Sequence, residues 1–121
     1  MSYDKNLFAE QFKVRTKKNA VEIIQLFRSF PKTEEARIAG RQLIRSTTSV
    51  AANYRAACRA RSKAEFYSKL SICVEEADET LFWIEICEES SIFRSEKLDT
   101  IKKETEEILK ILATSRKTVS A

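Results

Sequence analysis

ARIAGRQLIRSTTSVAANYRAACR, residues 36–59, decides the fold of this chain. At roughly 100° of rotation per residue, Arg37, Arg41, Arg45, Arg55 and Arg59 project within about 80° of one another. Ala36, Ala39, Leu43, Thr47, Val50, Tyr54 and Ala57 cluster about 200–280° around the same axis from Arg37. An apolar stripe opposite a cationic one is the pattern of a helix that lays one face on a core. A plain solvated face mixes signs, because unlike charges at i,i+4 support a helix and like charges oppose it. Between Ala36 and Ala64 there is no Asp or Glu at all. So much uncompensated positive charge costs stability, and an anionic partner is the expected source of the counter-charge.

The flanking segments read as three more helices. Helix 1 is expected from about residue 8 to Ser29, because Phe8, Phe12, Ala20, Ile23, Phe27 and Phe30 recur at three- and four-residue steps. Pro31 stops it, since the residue before a proline avoids the α region. Thr33 is the N-cap expected for helix 2, with Glu34 and Glu35 in the first turn against the dipole. That helix should continue to about Cys58. Gly40 lies inside it at a cost of about 1 kcal/mol relative to Ala, and close approach of a neighbouring helix is the expected reason. The Ser46–Ser49 hydroxyls fall partly on the packing side, where they can bond back to i−4 carbonyls.

Helix 3 opens on Ser62-Lys-Ala-Glu65, a capping box. Phe66, Leu70, Cys73, Ala77, Leu81, Ile84 and Cys87 then form a stripe close to a heptad seam. Ile72, Phe82, Trp83 and Ile86 project roughly 160–260° from Phe66, giving the helix a second apolar side. A four-helix monomer covers only one such side, so self-association through these four residues is expected. The alternative is that Phe82 and Trp83 cap one end of the monomer core. Helix 4 starts after Ser95 and carries Leu98, Ile101, Ile108, Leu109 and Leu112, with residues 114–121 as a frayed polar tail. Four amphipathic helices with short connections predict an all-α, antiparallel up-down-up-down four-helix bundle.

Composition agrees. At 121 residues the chain is expected to form one domain, residues 1–121, and one Gly with one Pro leaves little from which to build β-turns. No apolar run reaches membrane-spanning length, and the N-terminus lacks the apolar region of a signal peptide, so a cytoplasmic protein is expected. Cys58, Cys73 and Cys87 are odd in number and lack CxxC spacing, which predicts reduced, buried thiols. The halves differ in charge: residues 1–63 carry 14 Lys/Arg against 5 Asp/Glu, and residues 64–121 carry 8 against 13. A positive surface on the first two helices is one consequence. Mutual neutralisation of the halves, within the bundle or between subunits, is the other.

There is no histidine, which removes imidazole acid–base catalysis and most zinc and iron sites. One glycine permits no Gly-rich phosphate loop. Glu75, Glu76, Asp78 and Glu79 spread around helix 3 rather than converge on a cation. No metal, cofactor or catalytic group is therefore expected, and the chain does not read as an enzyme.

The segment QLIRSTTSVAAN (residues 42–53), followed by RARSKAEF (residues 59–66), resembles a known family. It is similar to the small four helix bundle proteins, first noticed as products of intervening sequences in bacterial 23S ribosomal RNA genes. The accessory proteins of diversity-generating retroelements are related to them. Phe30-Pro31 and the Leu-rich last helix also match, so the likeness covers nearly the whole chain. The resemblance implies a basic homo-oligomer, a pentameric ring in characterised members, that binds nucleic acid, and in the retroelement relatives also a reverse transcriptase. One departure matters. Members usually follow the helix 2 asparagine with Ile-Ala-Glu-Gly, whereas Tyr54-Arg-Ala-Ala57 stands here, more basic and without the usual helix stop.

Together these features predict a non-catalytic oligomer that binds structured RNA, or an RNA–DNA hybrid, through phosphate contacts. Arg37, Arg41, Arg45, Arg55 and Arg59 are the main expected donors, with Arg61, Lys63, Lys17 and Lys18 secondary. Guanidinium forks suit phosphate oxygens bidentately. Such contacts position a ligand without reading its sequence. A competing reading is an oligomeric adaptor whose basic face docks an acidic protein such as a reverse transcriptase.

Overall fold

The computed structural model describes residues 2–120, with side chains from Lys5 onward. Four helices follow one another: α1 (Ser2–Phe27), α2 (Glu34–Ala57), α3 (Lys63–Glu89) and α4 (Glu96–Ser120). Each starts or stops for a local reason. Thr33 Oγ1 accepts from the Ala36 N–H at 3.3 Å, Ser62 Oγ from Glu65 at 3.0 Å and Ser95 Oγ from Leu98 at 3.0 Å. These side chains satisfy donors that the first turn of a helix leaves orphaned. Cys58 closes α2, its N–H donating to the Tyr54 carbonyl at 3.0 Å. At the α3–α4 turn Ser91 takes φ 60, the left-handed conformation usually given to glycine.

The chain's one glycine sits elsewhere. A Cβ built on Gly40 would lie 1.9 Å from Cε1 of Phe27, so the last turn of α1 presses its ring onto the α2 backbone. That close approach is the one expected from the sequence.

Two helix bounds differ from expectation. α1 begins six residues before Phe8, at Ser2, and α4 runs to Ser120 instead of fraying after Ala113. Val119 packs against the core, and Thr118 and Ser120 return hydroxyl bonds to the Thr114 and Lys117 carbonyls. Apolar burial so late in the helix holds its last turns.

Each helix packs on its sequence neighbours, and α1 also closes on α4, the loosest of the four seams. Along the α1–α3 and α2–α4 diagonals no Cα atoms approach within 8 Å among the described residues. The result is an all-α bundle in the expected up-down-up-down order.

Inside it lie two apolar clusters. One gathers Phe12, Val50, Tyr54, Leu70, Cys73, Ile108 and Leu112; the other gathers Ile23, Phe30, Leu43, Ile84, Cys87, Leu98 and Ile101. Between them all four helices bury polar groups: Thr16, Asn19, Ser46, Thr47, Thr80 and Thr105. Thr80 Oγ1 lies 2.8 Å from Ser46 Oγ and ties α3 to α2. Asn19 Nδ2 donates to Thr105 Oγ1 at 3.2 Å and ties α1 to α4. Asn19 Oδ1 is buried without a protein partner.

This layer corrects the stripe expected for α3. The buried positions are Leu70, Cys73, Ala77, Thr80, Ile84 and Cys87, so Thr80 takes the seam and Leu81 lies half-buried beside it. Ranking by hydrophobicity picks the leucine, whereas the hydroxyl finds Ser46 across the seam. Phe66 and Phe27 are half-buried, and Phe8, expected in the core, is 47% exposed at the open end of the bundle. It stacks on Phe12 there, with centroids 5.7 Å apart.

Two outcomes are expected in thermal melts. Leu70→Ala should cost about 2–5 kcal/mol, and Leu81→Ala well under half of that, because only the first leaves a sealed cavity; equal losses would refute the register. Gly40→Ala should lower Tm although alanine is the better helix former. In a Phe27→Ala background the same change should become neutral or stabilising.

Candidate nucleic-acid interface

The five arginines do not form one uniform surface. Arg37, Arg41, Arg45 and Arg55 stand exposed on α2, while Arg59 falls just past its end in the turn to α3. Three of the expected donors have counter-charges within the chain, two from neighbours in sequence and one from another helix. Arg45 reaches Glu76 on α3, its Nη1 and Nη2 each 3.1 Å from a carboxylate oxygen, and also meets Glu79. Arg37 pairs with Glu34 at 3.2 Å, and Arg61 approaches Glu65 at 3.9 Å. The expectation that an outside anion neutralises the whole stripe is therefore corrected: part of the counter-charge comes from within the chain. Arg45 was misread because its carboxylates lie 31 and 34 residues away.

Arg41, Arg55, Arg59, Lys63, Lys17 and Lys18 make no ion pair among the described residues. Adjacent residues on α1 diverge by about 100°, and that separates the two lysines. Lys17 faces a groove along the α1–α2 seam. Lys18 faces the α1–α4 seam among Arg15, Glu22, Lys97, Lys103, Glu104 and Glu107. Charges there are mixed and largely paired: Arg15 holds Glu104 with Nε at 2.7 Å and Nη2 at 2.8 Å, and Lys97 meets Glu22 at 3.4 Å. Lys18 is not brought together with the arginines.

The α1–α2 groove has a volume of about 540 Å³. Lys13, Lys17, Arg55 and Arg59 stand around it. Its remaining lining is apolar or small: Val14, Ala20, Val21, Ile24, Thr48, Ala51 and Ala52. Val14 is 67% exposed and Val21 44%. Sequence reasoning missed this apolar lining. The signal was the seven-residue step from Leu7 to Val14 to Val21, hidden because lysines separate the valines.

The second apolar side of α3 is split in two. Trp83 is half-buried and packs on the apolar cluster around Leu43 and Ile84, so it belongs in part to the monomer core. Phe82 is 49% exposed and leans edge-on against Trp83, with centroids 5.2 Å apart. Ile72 and Ile86 are half-buried.

The cysteines are free; burial pushes the Cys73 thiol up to about 12 and Cys87 up to about 11, and raises Cys58 as well. Thiols held protonated are poor nucleophiles and poor metal ligands. Among the described residues no three acidic, thiol or imidazole groups converge as a metal requires. Among the described residues no helix is long and apolar enough to cross a membrane.

The comparison with family models matches residues 11–114 to the 23S rRNA-intervening sequence protein, a span containing all four helices in large part. The chain belongs to that family. Its bundle also matches the crystal structure of a protein of unknown function from the S23 ribosomal protein family of Bacteroides thetaiotaomicron. The two chains are 31% identical, with a TM-score of 0.81 over 90% of this chain and 97% of the other. No curated protein matches the chain. The family and the four-helix fold stand as the QLIRSTTSVAAN segment implied.

Arg45 and Arg41 sit one turn apart and should respond differently to charge reversal. Arg41→Glu removes no ion pair found among the described residues and should leave the stability unchanged to within about 0.5 kcal/mol. Arg45→Glu places three carboxylates together and should cost on the order of 1 kcal/mol or more. High salt should narrow the gap between the two variants. Indistinguishable melts at low salt would show that the Arg45 pairs do not hold in solution.

Proposed function

We propose that this family member is a non-catalytic, cytoplasmic, homo-oligomeric protein, a pentamer, that binds structured RNA or an RNA–DNA hybrid through phosphates. The observation that carries this reading is the pair of cations that lie outside the α1–α2 groove and have no acidic partner among the described residues: Arg41 on the outer face of α2 and Lys63 opening α3. Arginine there offers forked donors for phosphate oxygens. Forked donors of this kind position a nucleic acid by its backbone rather than by base edges, which is the fitting mode. Self-association is supported by Phe82, a ring 49% exposed on the outer side of α3.

One observation favours a protein ligand at one place. Phosphates account for the cations of the α1–α2 groove but not for its apolar floor. An adaptor that docks an acidic protein, such as a reverse transcriptase, is the second reading.

Filter-binding titrations against structured RNA at several salt concentrations test the first. Log affinity should fall linearly with log salt, with a slope set by the number of phosphates neutralised. Arg41→Glu/Lys63→Glu should weaken binding to unrelated RNA sequences about equally and flatten that slope, with helicity unchanged. Undetectable binding at low salt, or a slope that the double variant leaves as it was, would remove the phosphate reading.

A further inference from the structure

We infer that the α1–α2 groove of one subunit seats the outer face of α3 from a second copy of this chain, a head-to-tail contact. The inference rests on the self-association proposed above and gives it a surface. Its first half is the socket. Val14 and Val21 form an exposed apolar ridge along α1 with half-buried Ile24 beside it, and across from them Thr48, Ala51 and Ala52 keep α2 low. Small side chains on one wall let a third helix come close. An apolar groove between two helices is the usual seat of an amphipathic helix with anchors at three- and four-residue steps.

The second half is the key, and this chain carries it. On α3, Glu75, Asp78, Phe82, Ile86 and Glu89 project within about 80° of one another. Phe82 is 49% exposed at the centre of that face. No Lys or Arg follows Lys69 on the helix. Glu75, Asp78 and Glu89 make no ion pair within the chain among the described residues, unlike Glu76, Glu79 and Glu88. The socket shows the opposite sign, with Lys17, Arg55 and Arg59 equally partnerless around it. Lengths agree too: at 1.5 Å per residue, Val14 to Ile24 runs about 15 Å and Glu75 to Ile86 about 16.5 Å. Unpaired acids around an exposed ring in one place, and unpaired cations around exposed valines in another, complement each other in charge and in apolar surface.

Socket and key are different patches of one subunit, so the contact is heterologous and repeats until it closes a ring or extends a filament. Arg41 and Lys63 lie outside the groove lining and stay open to phosphate in the assembly.

Light scattering on the full chain tests this, with circular dichroism as the folding control. The unmodified protein should run well above 14.0 kDa. Lys17→Glu/Arg55→Glu (reversed socket) and Glu75→Lys/Asp78→Lys (reversed key) should each fall to monomer with helicity intact, all four positions being solvent-accessible. Combining both reversals in one chain should restore the large species, because every reversed socket then meets a reversed key in a ring of any size. Unchanged mass in either single reversal, or no recovery in the combined variant, would overturn the contact while leaving self-association standing. A monomeric unmodified protein would end both and assign the groove to a foreign acidic helix. Should either reversal unfold the chain, Phe82→Ser and Val14→Ser carry the same expectation of a drop to monomer.

Discussion

Polar groups buried at mid-height in the bundle constrain the rest of the molecule. A hydroxyl or amide taken out of water must find a partner or cost the bundle a few kcal/mol. Here each helix brings at least one to the same level: Thr16 and Asn19, Ser46 and Thr47, Thr80, Thr105. The Thr80–Ser46 and Asn19–Thr105 bonds each cross a helix seam, so sliding one helix by a turn would strand both ends. Purely apolar stripes tolerate such slips far better. The layer thus holds the helices at defined heights, and those heights place Arg45 level with Glu76 and Glu79.

Charge follows from that register. Unlike charges meet across three of the seams: Arg45 with the α3 acids, Arg15 with Glu104, Lys102 with Glu88 at 2.9 Å. Many of the unpaired groups lie away from these seams. Cations stay on the outer side of α2 and around the α1–α2 groove, and acids stay on the outer side of α3. The unequal halves of the sequence are therefore neutralised only in part within one subunit. Their residue is displayed on separate faces, an arrangement suited to contacts outside the monomer.

Close approach shapes the groove in the same way. Phe27 lies against Gly40 and brings the last turn of α1 down onto α2. Further along the seam the ridge of Val14 and Val21 faces alanines too short to cover it, and the groove opens. One seam is thus tight at one end and unfilled along the rest. That unfilled length, not the arginine stripe alone, distinguishes this surface from a uniformly solvated face.

Much of the fold was legible in the chain itself. Periodicity gave four helices, Thr33, Ser62 and Ser95 marked their starts, and Gly40 announced a close neighbour, because these signals act within a few residues. The QLIRSTTSVAAN segment carried the family. Tertiary structure decided which chemically similar residue took each role. Thr80 displaced Leu81 from the seam because a serine stood opposite, and Arg45 left the free cations because α3 placed two carboxylates beside it. Lys17 and Lys18 parted because one faces α2 and the other α4. Val119 kept α4 helical because the core extends to meet it. A local signal can state what a residue prefers. Only the packed neighbours, tens of residues away in sequence, state which partner answers that preference and which charges are left without one.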